Sequence, residues 1–79
     1  MTPDDFKAWR AVMGFNQIEA GKALGLSKST IELYEKGKRR DTGAPVEIPL
    51  TVALACTALW HKMKPWNSKH YSNELGIFG

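Results

Sequence analysis

Residues 17–40 constrain the fold of this chain more than any other stretch. Their sequence, QIEAGKALGLSKSTIELYEKGKRR, contains two short segments with apolar residues at helical spacing. Gly25 and Ser27 lie between the segments, where glycine supplies the positive φ of a tight turn and serine is a favoured helix N-cap. The stretch therefore predicts two short helices joined by a tight turn, with a basic run after the second helix.

The inward positions of these two helices are small or apolar. Ala20 and Leu24 share one face of the first helix, and Ile31 and Tyr34 share one face of the second. Gly21 lies in mid-helix, where glycine costs roughly 1 kcal/mol of helix propensity relative to alanine. We therefore expect a close backbone contact at Gly21, where the second helix crosses the first.

The second helix should begin after Ser27, end at Gly37 and expose a mostly polar face. The residues expected on that face are Lys28, Ser29, Glu32, Leu33 and Lys36. Asn16 is a good N-cap for the first helix, and Gln17 then occupies its first turn. The side chain of Gln17 and the neighbouring backbone amides should point out of the helix end, which suits a phosphate group.

A further helix is predicted at the N-terminus. Thr2 provides a cap, Pro3 occupies the first helical position, and Gly14 marks the end. Lys7 and Arg10 are expected on its outer, solvated side.

A long helix is predicted from about 49 to 64, and it is apolar on most sides, so most of its sides must be covered. The three helices before it can cover one face, and a second copy of the chain is a candidate to cover another. The alternative is that the tail from Trp66 to Gly79 folds back over that face. The residues expected in this dimer interface are Leu50, Leu54, Ala58 and Trp60. The segment before this helix, KRRDTGAPVEIP, is too irregular for a secondary-structure prediction.

Together these elements predict an all-α protein, a small bundle of four to five helices containing a helix-turn-helix. One domain should span residues 1–66 and include the dimerisation helix at about 49–64. Residues 67–79 should form a partly ordered C-terminal tail, with Trp66 and Phe78 docked on the body or on a partner.

Composition narrows the classes of function. The net charge is only +3, but the segment from Lys28 to Arg40 holds five basic residues against two acidic ones, which suits a polyanionic partner. No apolar run approaches the ~20 residues of a membrane helix, and the acidic N-terminus does not resemble a secretory signal. We therefore expect a cytoplasmic protein without a membrane partner.

Catalysis and metal binding are not expected. The single cysteine, Cys56, lies on an apolar helix face and should be a small buried hydrophobe, while His61 and His70 are isolated. The paired Cys and His spacing of a zinc site is missing. No catalytic residue, metal or cofactor is predicted.

Residues 17–39 resemble the helix-turn-helix of the Cro/cI-like (XRE) family of phage and bacterial transcription regulators. The matching positions are Gln17, Gly21, Leu24, Gly25, Leu26, Ile31, Tyr34 and the ending Glu35, Gly37 and Lys38. The sequence departs from the family at Gly21, where alanine is commoner, and in the insert 41–47 before the next helix. Its size and its single following helix also resemble small repressors found beside anti-CRISPR genes in phages.

The resemblance implies a lambda repressor-like domain that binds double-stranded DNA with the second helix of the motif in the major groove. It implies a dimeric repressor of phage or mobile-element type on a palindromic operator, with half-sites about 34 Å apart. Base contacts are then expected from Lys28, Ser29, Glu32 and Leu33. Phosphate contacts are expected from Asn16, Gln17, Thr30, Lys36, Lys38, Arg39 and Arg40.

Two alternatives to DNA binding are consistent with the same sequence. The motif could serve as a protein-interaction module, such as an antitoxin-like or adaptor subunit for which DNA binding is secondary. RNA binding is less favoured, because the aromatic residues occupy core positions rather than an exposed stacking surface.

Overall fold

The computed structural model describes residues 1–68, which form four α-helices and no β-strand within that range. The helices are α1 (Pro3–Met13), α2 (Gln17–Leu24), α3 (Lys28–Lys36) and α4 (Leu50–Trp60). The prediction of a small all-α bundle is confirmed for this part of the chain. The predictions for Phe78 and for most of the 67–79 tail lie outside the described residues. None of the helices in residues 1–68 has the length and apolar character that crossing a bilayer requires.

Local side-chain chemistry sets the first helix boundary, as predicted. The Thr2 hydroxyl accepts a hydrogen bond from the Asp5 amide at 3.0 Å, and the Asp5 carboxylate accepts one from the Thr2 amide at 2.8 Å. This reciprocal pair satisfies amides that the helix itself cannot pair. The bonds from the Thr2 amide and then its hydroxyl hold the pKa of Asp5 below its ordinary value.

The other predicted boundaries of the first three helices are also confirmed. Asn16 and Ser27 accept backbone amide hydrogen bonds at the starts of α2 and α3. The helices α1, α2 and α3 end at Gly14, Gly25 and Gly37, each with a positive φ between 73° and 77°. Only glycine adopts this left-handed conformation without steric cost, which explains why the chain changes direction at these points.

The core lies where the four helices meet. Its buried members are Phe6, Trp9, Ala20, Ile31, Tyr34 and Cys56. The ring of Phe6 packs against Trp9 and Tyr34, with centroids 5.5 and 5.8 Å apart, so aromatic contacts join α1 to α3. The Trp9 indole N–H donates to the backbone carbonyl of Cys56 at 3.0 Å and joins α1 to α4. These contacts fix α3 against the rest of the bundle.

Gly21 makes the expected close backbone contact, but with a different partner. A Cβ atom at this position would lie 2.5 Å from the carbonyl oxygen of Leu26. The approaching backbone therefore belongs to the turn between α2 and α3, whereas the prediction placed α3 itself there. Because the turn folds back over α2, Gly21 is buried and has no room for a side chain.

Residues 37–46, which the sequence left undefined, form a short hairpin. The Arg39 amide donates to the Ala44 carbonyl at 2.8 Å, and the Val46 amide donates to the Gly37 carbonyl at 2.9 Å. Lys38 and Pro45 form the single antiparallel bridge between these arms. The insert that distinguishes this chain from the family pattern is thus a compact turn directly after α3.

The predicted end of the long helix at Lys64 is wrong, because α4 ends at Trp60. Lys62 adopts a positive φ of 58°, and the Lys62 and Met63 amides donate to the Leu59 and Ala58 carbonyls. These bonds satisfy the last carbonyls in the manner of a Schellman cap, with lysine in the position that glycine usually takes. A lysine there gives no sequence signal for a helix end.

The prediction that Trp66 docks on the body of the molecule is also wrong. Its side chain is 70% exposed among the described residues. It follows the end of α4 and does not join the core. Docking of Trp66 on a partner stays a prediction.

Candidate nucleic-acid interface

Helix α3 has two faces with different chemistry, as the sequence predicted. Ile31 and Tyr34 are buried against the other helices. On the opposite side Lys28 and Ser29 are exposed, and Glu32 and Leu33 are partly exposed. All four residues expected to contact bases therefore lie on the outward side of one helix.

An ion pair beneath α3 was not predicted. Glu35 is only 8% exposed, and its carboxylate accepts from the Arg10 guanidinium at 2.6 Å (Nε to Oε2) and 3.0 Å (Nη2 to Oε1). Arg10 also donates to the Phe15 carbonyl at 3.2 Å. The hydrogen bond with Glu35 raises the pKa of Arg10 above its ordinary value.

The prediction that Arg10 lies solvated on the outer side of α1 is therefore wrong. A carboxylate removed from water needs donors, and a guanidinium satisfies both of its oxygens at once. The two residues are 25 positions apart in the chain, so helix periodicity within either segment could not reveal the pair.

The ion pair changes the charge that α3 and the hairpin present. Of the two acids between Lys28 and Arg40, Glu35 is buried and neutralised by Arg10, which leaves Glu32. All five basic residues of that segment, by contrast, are exposed: Lys28, Lys36, Lys38, Arg39 and Arg40. The surface is consequently more positive than the sequence count indicates, which favours an anionic partner.

The start of α2 differs in part from its prediction. Asn16 and Glu19 exchange hydrogen bonds of 2.8 and 2.9 Å, so the Glu19 amide is already satisfied. The Gln17 side chain donates to Glu35 at 3.4 Å. It therefore lies against the ion pair, and the expectation that it points out of the helix end is wrong. The amides of Gln17 and Ile18 still lie in the first turn of the helix.

The remaining predicted phosphate-contacting residues flank the outward face of α3 at its two ends. Thr30 lies near the start, where its hydroxyl is 3.0 Å from the Ser27 hydroxyl and supports the helix cap. Lys38 and Arg39 lie in the hairpin beyond the other end. Basic side chains and capping hydroxyls thus border the same surface, while their phosphate contacts stay predictions.

An open cavity of about 320 Å³ lies on the outward side of α3. Its lining residues are Ser29, Glu32, Leu33, Lys36 and Arg40. The first four come from α3 itself, whereas Arg40 comes from the hairpin. The position of Arg40 beside α3 was not predicted, because the path of residues 37–46 could not be inferred from the sequence.

Helix α4 presents apolar side chains to solvent. Leu50 is 74% exposed, Leu54 is 61% exposed and Trp60 is 56% exposed, while Ala58 is partly buried. The helix contains no charged residue. Its other side packs on the core through Val52 and Leu59. Within residues 1–68, the residues predicted for a dimer interface are therefore mostly uncovered.

The predicted interior position of Cys56 is confirmed. Its side chain is buried, and burial raises the pKa of the thiol to about 11. At neutral pH the group is a protonated thiol, which is a poor nucleophile and a poor metal ligand. His61 is exposed, and His70 lies outside the described residues. Within residues 1–68, no three His, Cys, Asp or Glu side chains cluster in a way that could hold a metal ion.

No protein-family model matches this chain, and neither the curated proteins nor the solved structures include a detectable relative. Any assignment of function therefore depends on the geometry and chemistry of the chain itself.

Proposed function

We propose that this protein is a sequence-specific regulator of transcription that binds double-stranded DNA as a dimer. In this proposal α2, the turn and α3 form a helix-turn-helix of the Cro/cI-like type, and α3 enters the major groove. The observation that supports it most directly is the outward face of α3. That face is polar and basic, while the opposite face of the same helix is fixed by the core and by the Arg10–Glu35 ion pair.

A rigid helix is suited to this task. The major groove is about 12 Å wide and admits an α-helix, and each base pair displays a distinct pattern of donors and acceptors there. Discrimination between those patterns requires side chains held in a defined position. Helix α3 is capped at its start by Ser27, ends at Gly37 and packs on α1 and α2, so its orientation is well defined.

Four side chains on α3 are assigned to base contacts. Lys28 donates to the O6 and N7 atoms of guanine, and Leu33 packs against the methyl group of thymine. Ser29 donates to or accepts from several base edges, and Glu32 accepts from the amino group of cytosine. Their shared position on the outward side of α3 supports this assignment.

Phosphate contacts position the helix in the groove without specifying sequence. Asn16 and the first-turn amides of α2 contact one phosphate, with Gln17 fixed beside them by its bond to Glu35. Thr30 contributes a hydroxyl group near the start of α3. Lys36, Lys38 and Arg39 neutralise the backbone near its end, where all three side chains are exposed.

A second copy of the chain covers the exposed face of α4. The face suits self-association because it has large apolar side chains and no charge that would repel a copy of itself. Two copies related by a twofold axis then present two α3 helices to successive major grooves, about 34 Å apart. Such a dimer recognises an inverted repeat and represses transcription by covering the DNA. Repression of this kind requires no catalytic or ligand-binding site.

A protein-interaction module is the second candidate, and the exposed Leu50, Leu54 and Trp60 favour it. An antitoxin-like or adaptor subunit would use the same α4 face to bind a different protein. In that case DNA binding would be weak and insensitive to sequence.

Selection from a pool of random duplexes tests the proposal. Wild-type protein should enrich an inverted repeat, with half-sites about 10 bp apart from centre to centre. The double variant Lys28→Ala with Ser29→Ala should lose enrichment at the base pairs that these two residues contact, although circular dichroism should show an unchanged helix content. Failure of the wild-type protein to enrich any sequence would favour the interaction module.

A further inference from the structure

The hairpin after α3 places one basic residue apart from its neighbours. Lys38, Arg39 and Arg40 are consecutive in sequence and all exposed, and the family resemblance implies the same phosphate-contacting function for all three. In the structure Arg40 lines the cavity beside Ser29, Glu32 and Leu33, whereas Lys38 and Arg39 do not. Three of the four residues assigned to base contacts therefore share a cavity with Arg40.

The backbone around Arg40 is held in place. Arg39 is paired with Ala44 across the hairpin, and the Gly43 amide donates to the Arg39 carbonyl at 2.9 Å. Gly43 has a φ of 71°, which allows the chain to turn tightly there. Arg40 is thus the second residue of a turn that a backbone hydrogen bond closes. Less conformational entropy is lost on binding than for an arginine on an unstructured tail.

The chemistry of the cavity fits a base edge better than a phosphate. Lys36 lies in the lining at the end of α3, but Leu33 contributes an apolar wall, and Glu32 contributes a carboxylate that repels a phosphate group. A guanidinium can donate two parallel hydrogen bonds to the O6 and N7 atoms of guanine, which is the commonest specific contact in the major groove. Glu32 can accept from a cytosine amino group in the same groove.

We propose that Arg40 is a specificity-determining residue that contacts a guanine edge in the major groove from outside the helix-turn-helix. This inference rests on the proposed DNA-binding function and extends its base-contacting surface from α3 to the hairpin. It also gives the 41–47 insert a function, which is to orient a base contact. Helix α3 with Arg40 would therefore contact a longer half-site than α3 alone.

Three single variants separate a base contact from a phosphate contact. Arg40→Ala removes the side chain, Arg40→Lys keeps the charge but loses the paired geometry, and Arg39→Ala is the matched control on the adjacent residue. Each protein is titrated against the duplex that the wild type selects. It is also titrated against a set in which each base pair of the half-site is changed in turn.

Arg40→Ala should lose about tenfold or more of the wild-type discrimination at one G·C pair and keep it elsewhere. Arg40→Lys should keep only part of the same discrimination, because lysine can reach a guanine edge but lacks the planar two-bond geometry, and it should keep the wild-type dependence on salt. Arg39→Ala should weaken binding to every duplex alike and reduce the slope of log affinity against log salt by about 1.

The opposite result for Arg40 would overturn this inference alone. If Arg40→Ala weakens all duplexes equally and reduces the salt slope as Arg39→Ala does, Arg40 contacts phosphate and the base-contacting surface is confined to α3. If the wild-type protein prefers no duplex in the set, the proposed function itself fails. The two failures are therefore distinguishable in one experiment.

Discussion

Glu35 shows how a single residue can contribute to both the fold and the proposed binding surface. Its carboxylate is buried among α1, α2 and α3, and it accepts hydrogen bonds from Arg10 and Gln17. The bond to Arg10 joins the helix assigned to base recognition to the N-terminal helix. Because both carboxylate oxygens are satisfied, the charge is tolerated in the interior.

Removal of Glu35 should therefore destabilise the protein. We expect Glu35→Ala to lower the free energy of unfolding by about 2–3 kcal/mol, since it leaves the Arg10 charge without its partner. The estimate lies below the range for fully buried pairs because Arg10 is a quarter exposed. Urea denaturation followed by circular dichroism measures the change.

Glu32→Ala is the matched control, because Glu32 is an acid on the same helix that is partly exposed. It should change the free energy of unfolding by no more than about 0.5 kcal/mol. Equal effects of the two substitutions would show that the ion pair contributes nothing to stability. The pair Arg10→Met with Glu35→Leu should cost less than the sum of the two single changes.

At the scale of helices and turns, the predictable features were those determined by nearby residues. Thr2, Asn16 and Ser27 start the first three helices, and their bonding partners lie three residues ahead in the chain. The glycines that end these helices act through their own φ angles. Such signals can be read from one segment without knowledge of the rest.

Features that depend on distant residues or unusual conformations could not be predicted. The end of α4 depends on a left-handed conformation of Lys62, and at helix ends this conformation is usually adopted by glycine or asparagine. The hairpin at 37–46 depends on backbone hydrogen bonds between two arms, and neither arm has the alternating apolar and polar residues typical of a β-strand. The position of Arg40 beside α3, and with it part of the candidate site, follows from that hairpin.

Gly21 provides a test at the scale of one element. We expect Gly21→Val to lower the free energy of unfolding by more than about 2 kcal/mol, because the new side chain would collide with the Leu26 carbonyl. Valine at the exposed Ala23 costs helix propensity without a collision, whereas helix propensity alone would slightly favour valine over glycine at position 21. Ala23→Val should cost about 0.5 kcal/mol in thermal or urea unfolding. A smaller effect at Gly21 than at Ala23 would contradict the close contact.

At the scale of the whole molecule, the two sides of α4 have different environments. One side completes the core through Cys56, and the other leaves Leu50 and Leu54 in water. A helix that is apolar on most sides needs a second covering surface, and within residues 1–68 none is present. A second copy of the chain provides it in the proposed dimer.

Leu54→Glu tests this arrangement. Two carboxylates brought together in an apolar interface are strongly disfavoured, so the variant should sediment as a folded monomer at micromolar concentration. Val12→Glu is the control, because Val12 is a similarly exposed apolar residue on α1. It should leave a dimer intact. A wild-type protein that is monomeric under the same conditions would contradict the dimer proposal.

The proposed DNA-binding surface depends on charge as well as on shape. When the exposed basic residues of α3 and the hairpin contact phosphates, the DNA should release counterions. The number of counterions released sets the dependence of affinity on salt. A protein-interaction module would bind duplex DNA only weakly and without sequence preference, and such binding also depends on salt. Preference for a selected duplex, measured together with the salt dependence, therefore separates the two candidate functions.

The most direct test is a salt titration of wild-type binding to its selected duplex, with a scrambled duplex of equal length alongside. For contacts to six to ten phosphates, log affinity should fall against log salt with a slope of about −5 to −9. The selected duplex should remain at least about 10³-fold tighter than the scrambled one at moderate salt. Absence of salt-sensitive binding, or equal binding to both duplexes, would contradict the assignment of this protein as a sequence-specific DNA-binding regulator.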